Sequence, residues 1–291
     1  MQTLIICILT NTLIGFIFKM FPKYGVNTLQ AIVVNYFVCV AMAGFVLGEF
    51  PIVPRVHQTE WFPFALFLGF IFIIGFNITA LSFQKLGVTL TTIMQKMSLL
   101  LTVPVAIWMY NEDINTWKIF GLVAGLVAIY LTNQPNKNDL DQVKKLPKWM
   151  IILPIIVWLI SVCIETILQY VEIKILGGMG GLNFVATLFG IAGTLGLITV
   201  IGGLVTKRLV FSYKNIIAGI VLGVPNFFSI YLIIVAISEG WEGSKFFPYN
   251  NISIIALSAV IAYLFFSEKL SRINLIGVAL AISAIWMISM G

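Results

Sequence analysis

Two ionisable side chains stand inside stretches that are otherwise apolar. Lys96 follows Gln95 in TTIMQKMSLLLTVPVAIWMY, and Glu165 lies deep in IILPIIVWLISVCIETILQY. A charge at the centre of a lipid-spanning helix costs of order 2.5 to 3.5 kcal/mol on insertion scales, so such groups usually face a cavity or a partner. An ammonium and a carboxylate facing one cavity would complement a small ligand that carries both charges. An organic anion would instead need the lysine to dominate. Each group also has a plainer reading. Lys96, about a turn and a half into its run, can snorkel toward the interface, and Glu165 can serve a salt bridge inside a helical bundle.

Spacing extends the set. Ser161, Glu165 and Gln169 recur every four residues and make one polar stripe on a helix, as do Asn11, Gly15 and Lys19. Asn77, Asn226 after Pro225, and the run Tyr249, Asn250 and Asn251 are further polar groups in apolar segments. The candidates for binding a ligand are therefore Lys19, Asn77, Gln95, Lys96, Glu165, Gln169, Asn226, Tyr249, Asn250 and Asn251, with Glu165 also the candidate for proton coupling. Interhelical hydrogen bonding is the competing role for each amide, and snorkelling the competing role for Lys19. Pro225 removes one backbone hydrogen bond and permits a kink.

The elements that must carry these residues follow from composition. Hydrophobic residues make up 60% of the chain and charged ones 10%, against roughly a quarter charged in a soluble domain. With a mean hydropathy of +1.06, this is an integral membrane protein. The net charge of +6 then reads as loop topology at a lipid surface, not as nucleic-acid binding. Cys7, Cys39 and Cys163 each sit in an apolar run, which offers neither a disulfide framework nor a metal pair. His57 is the single histidine, and HExxH, nucleophile-elbow and GxxxxGK[ST] patterns are lacking. No enzyme activity, metal or cofactor is expected. The opening residues have no basic region before their apolar run, so the first segment is expected to stay as a transmembrane helix.

Apolar runs of about 20 residues fall at 3–21, 29–47, 62–83, 91–110 and 115–131, and again at 149–173, 183–205, 215–238, 246–266 and 273–290. The polar linker 133–148, NQPNKNDLDQVKKLPK, separates five spans in 1–132 from five in 149–291. Shifting the numbering by about 156 pairs Ala80 with Ala236, Glu112 with Glu268, Gly121 with Gly277 and Ala128 with Ala284, the signature of a duplication. An odd number of spans per copy makes the second copy enter from the opposite side. The expected fold is an all-α integral membrane protein of ten transmembrane helices in two inverted five-helix repeats. That plan recurs in secondary transporters, where two structural halves rock about a site near the midplane. The copies diverge at their fourth helices, where Gln95 and Lys96 align with Asn251 and Ile252, and substrate preference is expected at that unequal end. Basic residues collect in the loops after the odd-numbered spans, leaving Arg55, Lys118, Lys174 and Lys245 in the others. By that count the basic loops are cytoplasmic and both termini lie outside. An even number of spans puts the termini on the same side whatever the orientation.

The two segments VPVAIWMYNEDINTWKIFGLVAGLVAIYL and IIALSAVIAYLFFSEKLSRINLIGVALAISAIW resemble the ten-helix, EamA-type branch of the drug/metabolite transporter superfamily. Each repeat of that family closes with a hydrophobic helix, a Glu at its end, a short polar turn and a Gly-bearing final helix. The matching positions are Glu112 with Gly121, and Glu268 with Gly277. The resemblance extends to span count and repeat length over essentially the whole chain. It implies a substrate cavity lined by helices one, three, four, six, eight and nine, which hold every candidate above. It also favours export. Two departures are Lys96, near the place where the family often has proline, and the family's usual cytoplasmic termini. Glu112 and Glu268, repeated at span ends, are expected to satisfy neighbouring backbone or basic groups. Gly121 and Gly125, with Gly277 and Ala281 in the matching places, allow close helix contact, either between repeats or in a homodimer.

The expectation is a multi-pass protein of the cell membrane: a secondary active transporter of a small polar metabolite, an amino acid or an organic anion, exported by alternating access. Membrane lipids and protons are its other expected partners. A non-transporting membrane receptor or a lipid scramblase is the alternative, with an intramembrane enzyme behind both.

Overall fold

A computed structural model describes residues 2–86, 91, 94–132, 150, 152–177, 181–266 and 272–290. Its α-helices are α1 (Gln2–Met20), α2 (Thr28–Leu47), α3 (Phe62–Leu86), α4 (Leu99–Tyr110), α5 (Thr116–Thr132), α6 (Ile152–Tyr170), α7 (Leu182–Val205), α8 (Tyr213–Ser238), α9 (Gly243–Phe266) and α10 (Arg272–Ser289). There is no strand among the described residues. The ends have local causes. The Asn27 side chain accepts from Gln30 N to cap α2, which stops at Gly48 with φ 79°. Asn111, left-handed at φ 53°, closes α4.

Among the described residues, seven helical stretches are long and apolar enough to cross a membrane: α1, α2, α3 as far as Ser82, α6 continued to Leu176, α7, α8 and α10. Two ranges differ in form from the hydropathy reading. The fourth run is not one helix, because the helical turn at Met94–Lys96 breaks at Met97 and Ser98 before α4 begins. The sixth passes from α6 into a π-helical segment over Val171–Leu176, closed by Gly177 at φ 63°. Lys118, Lys174 and Lys245, counted above as loop residues, all sit in helical segments, because the helices run past their apolar cores. Linker 133–148 and Glu268 lie outside the described residues.

The chain forms two compact units, 1–80 with 167–239 and 81–166 with 240–291. Each therefore takes helices from both halves of the sequence. In the first unit, Tyr36 of α2 stacks on Phe189 of α7, while its hydroxyl donates to the Phe72 carbonyl of α3 at 2.8 Å. Helices α2 and α7 run antiparallel, since a Cβ on Gly190 would meet Val40, one on Gly193 would meet Tyr36 and one on Gly196 would meet Val33. On α8, Cβ atoms at Gly219 and Gly223 would come within 2.6 Å of the Ala31 carbonyl and 3.0 Å of the Asn35 carbonyl. This glycine pair, spaced by four, lets α2 and α8 lie backbone to backbone.

The second unit repeats the device with different helices. A Cβ on Gly121 would sit 2.6 Å from Ile288 Cγ1 and 3.0 Å from the Ala284 carbonyl, and one on Gly125 would sit 2.4 Å from Ile252 Cδ1. At the other end of α5, Asn274 Nδ2 donates to the Leu131 carbonyl at 3.2 Å. Helices α5 and α10 are thus antiparallel, and Gly277, Ala281 and Ala284 are buried on α10. Gly15 has nothing within 4 Å. Gly121→Val is expected to cost about 1–3 kcal/mol through overpacking, whereas Gly15→Ala leaves stability unchanged or slightly raised. Thermal unfolding of the purified variants checks both.

Candidate functional site

The break in the fourth helix is where the second unit gathers its polar groups. In an uninterrupted α-helix the Leu101 amide would donate to the Met97 carbonyl, four residues back. Here it donates to the Ser98 carbonyl at 2.9 Å, and the Met97 carbonyl accepts from Leu100 N at 3.1 Å and from the Trp158 indole N–H at 3.0 Å. Trp158, on α6, thus occupies the acceptor that a continuous helix would use internally. The Ser98 hydroxyl does not cap α4. It donates to Glu165 Oε2 at 2.8 Å. The other carboxylate oxygen, Oε1, accepts from Asn251 Nδ2 at 3.1 Å, and Asn251 Oδ1 accepts from Lys96 Nζ at 3.1 Å. One neutral amide on α9 therefore bridges an ammonium on the fourth helix and a carboxylate on α6.

A second polar knot fixes the start of α9. Glu112, just beyond α4, accepts from the backbone amides of Gly243 at 2.9 Å and Ser244 at 2.8 Å. A carboxylate there satisfies orphan donors and complements the helix dipole. Lys118, in the first turn of α5, is fully buried. It donates to the Asp113 carbonyl, to Glu242 Oε2 at 3.1 Å and to Ser244 Oγ at 3.0 Å. A cation in a first turn opposes the helix dipole, and these three acceptors offset that penalty.

The predicted residues divide between the units. Lys96, Glu165 and Asn251 meet directly in the second, where Gln95 is half-buried, Asn250 is buried and Tyr249 lies edge-on to Trp241. In the first unit Lys19 is exposed and Gln169 buried, while Asn77 Nδ2 donates to the Ile73 carbonyl of its own helix. Asn226 is sealed between α8 and α2, its Nδ2 3.7 Å from Cys39 Sγ. Gly121 faces α10, and Gly277 is buried on α10.

Sequence reasoning missed Ser98, Trp158 and Lys118, whose roles depend on partners distant in sequence. It also passed over Glu172, fully buried in the π-helical segment. That residue stands seven positions after Glu165, a spacing that should have marked it. Glycines 219 and 223 carried the same four-residue spacing as 121 and 125.

The helices and the buried charges define an all-helical, multi-pass integral membrane protein. Residues 2–134 match the EamA-like transporter family. The chain is 27% identical over 294 residues to an uncharacterized protein of Haemophilus influenzae, covering 98% of this chain and 97% of that one. A solved crystal structure shares the fold with a TM-score of 0.76, covering 99% of this chain and 96% of its own, at 11% identity. Over residues 2–134, a little under half of the chain, the protein is thus similar to membrane transporters.

Removing the indole donor leaves the Met97 carbonyl with the Leu100 amide alone. Trp158→Phe is expected to speed amide hydrogen exchange in the 97–102 segment, with helices of the first unit unaffected. Glu112→Ala, which leaves two amides at the start of α9 without their acceptor, is expected to cost about 1–2 kcal/mol, read by thermal unfolding.

Proposed function

We propose that this protein is a secondary active transporter that exports a small polar metabolite, an amino acid or an organic anion, by alternating access. The observation that carries the reading is the Lys96–Asn251–Glu165 bridge at a broken helix. Broken helices and intramembrane charges both mark substrate sites in transporters. A ligand carboxylate can take the place of Asn251 Oδ1 at Lys96, and a ligand ammonium can take the place of Asn251 Nδ2 at Glu165. Gln95, Tyr249 and Asn250 orient the ligand in the same unit. In the first unit, taken by itself, Lys19, Asn77, Gln169 and Asn226 are proposed as ligand contacts in their own right.

The ten helices, on this reading, are ten transmembrane spans in two inverted repeats, 1–132 and 149–291, joined by 133–148, with both termini on one side. Two observations support inversion. Helices α2 and α7 are mates at the second position of each repeat, α5 and α10 mates at the fifth, and each pair packs antiparallel. A homodimer would need a surface other than the Gly121 and Gly125 face, which α10 and α9 fill. Glu165 is the proton-exchanging group, since protonation would release its hold on Asn251 and Ser98.

Uptake into proteoliposomes tests the assignment. Lys96→Ala and Glu165→Gln are each expected to lower transport at least tenfold, and collapsing the pH gradient at controlled membrane potential is expected to slow the parent. Parent-rate transport by both variants would refute the site, and an unchanged rate without the gradient would refute proton coupling. Ligand binding without flux would favour a receptor instead.

A further inference from the structure

The first unit carries its charge unevenly from end to end. Helix α1 runs antiparallel to α8: Thr3 Oγ1 donates to Glu239 Oε1 at 2.9 Å at one extreme, and the Asn27 amide, just beyond α1, donates to Asn215 Oδ1 at 2.8 Å at the other. Helices α2 and α8 run parallel, since Cβ atoms at Gly219 and Gly223 would meet the carbonyls of Ala31 and Asn35 in turn. With α7 antiparallel to α2, one end gathers the close of α1 and α7 and the first turns of α2 and α8. Lys19, Lys23, Lys207, Arg208 and Lys214 stand there, all exposed. The acidic residues of the unit stand at the opposite end, with Arg55 and Lys174. Glu49 follows α2 and Glu239 follows α8. Glu60 precedes Trp61, whose ring meets Phe184 at the start of α7, and Glu172 comes two residues after Tyr170, whose ring meets Phe64 at the start of α3.

The basic end is held in place by buried bonds. Gln30 Nε2 donates to the Val210 carbonyl at 2.9 Å and Asn215 Nδ2 donates to Gln30 Oε1 at 2.8 Å, with both side chains buried. Loop 206–212 is thereby pinned to the start of α2. Helix α7 closes with the Lys207 amide on the Leu204 carbonyl at 3.0 Å and the Arg208 amide on the Gly203 carbonyl at 2.9 Å, the pattern in which glycine usually makes the left-handed turn. Lys207 makes it here, at φ 56°. Lys207 and Arg208 complement the negative end of the α7 dipole, but Lys214 lies in the first turn of α8, where the dipole repels a cation. Exposed apolar side chains alternate with these charges: Tyr24, Val205, Val210, Phe211 and Tyr213. The loop joins two helices long and apolar enough to cross a membrane, which sets its cations at the depth of lipid headgroups.

We propose that this end of the first unit is a binding surface for anionic phospholipid, with Lys207, Arg208 and Lys214 holding the headgroup phosphate and Tyr24, Val210 and Phe211 lying against the lipid. The surface is separate from the transport site, because Lys96, Asn251 and Glu165 belong to the second unit. Charge selects the class of ligand: a cluster of cations with the unit's carboxylates at the far end attracts a phosphate, at about a fivefold gain in binding per cation. The apolar side chains select lipid over a free phosphate. Attachment to a bilayer surface draws on buried apolar area as well as on anionic headgroups, and a soluble anion would leave those side chains in water.

Thermal unfolding of the purified protein in neutral detergent tests this with three probes: dioleoylphosphatidylglycerol, dioleoylphosphatidylcholine and glycerol 3-phosphate. Phosphatidylglycerol is expected to raise Tm more than phosphatidylcholine, and that excess is expected to shrink as salt rises from about 50 mM to about 500 mM. Lys207→Gln, Arg208→Gln and Lys214→Gln combined are expected to erase the excess and to leave the lipid-free Tm within about 2 °C of the parent, since all three positions are exposed. Arg55→Gln, at the opposite end of the same unit, is expected to keep it. Lys214→Gln alone removes a cation that the α8 dipole opposes, so it is expected to fold and to weaken phosphatidylglycerol binding about fivefold. Equal responses to the two lipids in the parent would overturn the proposal, and that comparison needs no variant. An excess that survives the triple variant, is lost in Arg55→Gln, or is bound at parent affinity by Lys214→Gln would overturn the placement. A rise with glycerol 3-phosphate equal to that with phosphatidylglycerol would assign the surface to a soluble anion and overturn the lipid.

Discussion

A charge inside an apolar bundle must be answered by other polar groups, and the second unit is organised around that requirement. Glu165 is met by Ser98 and Asn251, Asn251 is met by Lys96, and the turn that aims Lys96 and Ser98 is held open by Trp158. Losing one α-helical hydrogen bond at Met97 is tolerable because an indole N–H takes its acceptor. The break then does what a straight helix cannot. It directs side chains from before and within the break, Lys96 and Ser98, to one amide–carboxylate pair.

The same rule operates at the start of α9, where Glu112 and Lys118 anchor the backbone of Gly243 and the side chains of Glu242 and Ser244. This matters for the site because Asn250 and Asn251 ride on that helix two turns further on. A lysine buried in a first helical turn would be a liability alone. Held by three oxygens, it ties the α4–α5 turn to the helix that carries the bridging amide.

Packing supplies the rest. With no hydrophobic drive between helices in lipid, close approach through small residues becomes the means of association. Both units use glycines four apart for it, Gly219 with Gly223 and Gly121 with Gly125. The compact units do not coincide with the sequence halves, since each draws helices from both. Under the proposed duplication, the second and fifth helices of the two copies pack on their counterparts within one unit, and the fourth and ninth helices join through the Lys96–Asn251 bond at the end where the copies are least alike.

Hydropathy and spacing were enough to determine the membrane class, most helix ranges, and the standing of Lys96 and Glu165 as outliers, because these depend on the local environment of a single segment. The glycine spacing of α5 was legible for the same reason. Tertiary structure alone decided that Asn251, 155 positions from Lys96, is its partner. It also decided that the fourth span is broken, that Lys118 is buried, and that Asn226 pairs with a cysteine of α2 instead of joining the Lys96 network. A hydrogen bond between elements depends on where the chain has brought two distant atoms. Local periodicity indicates that a buried charge needs a partner, and only packing determines which one it gets.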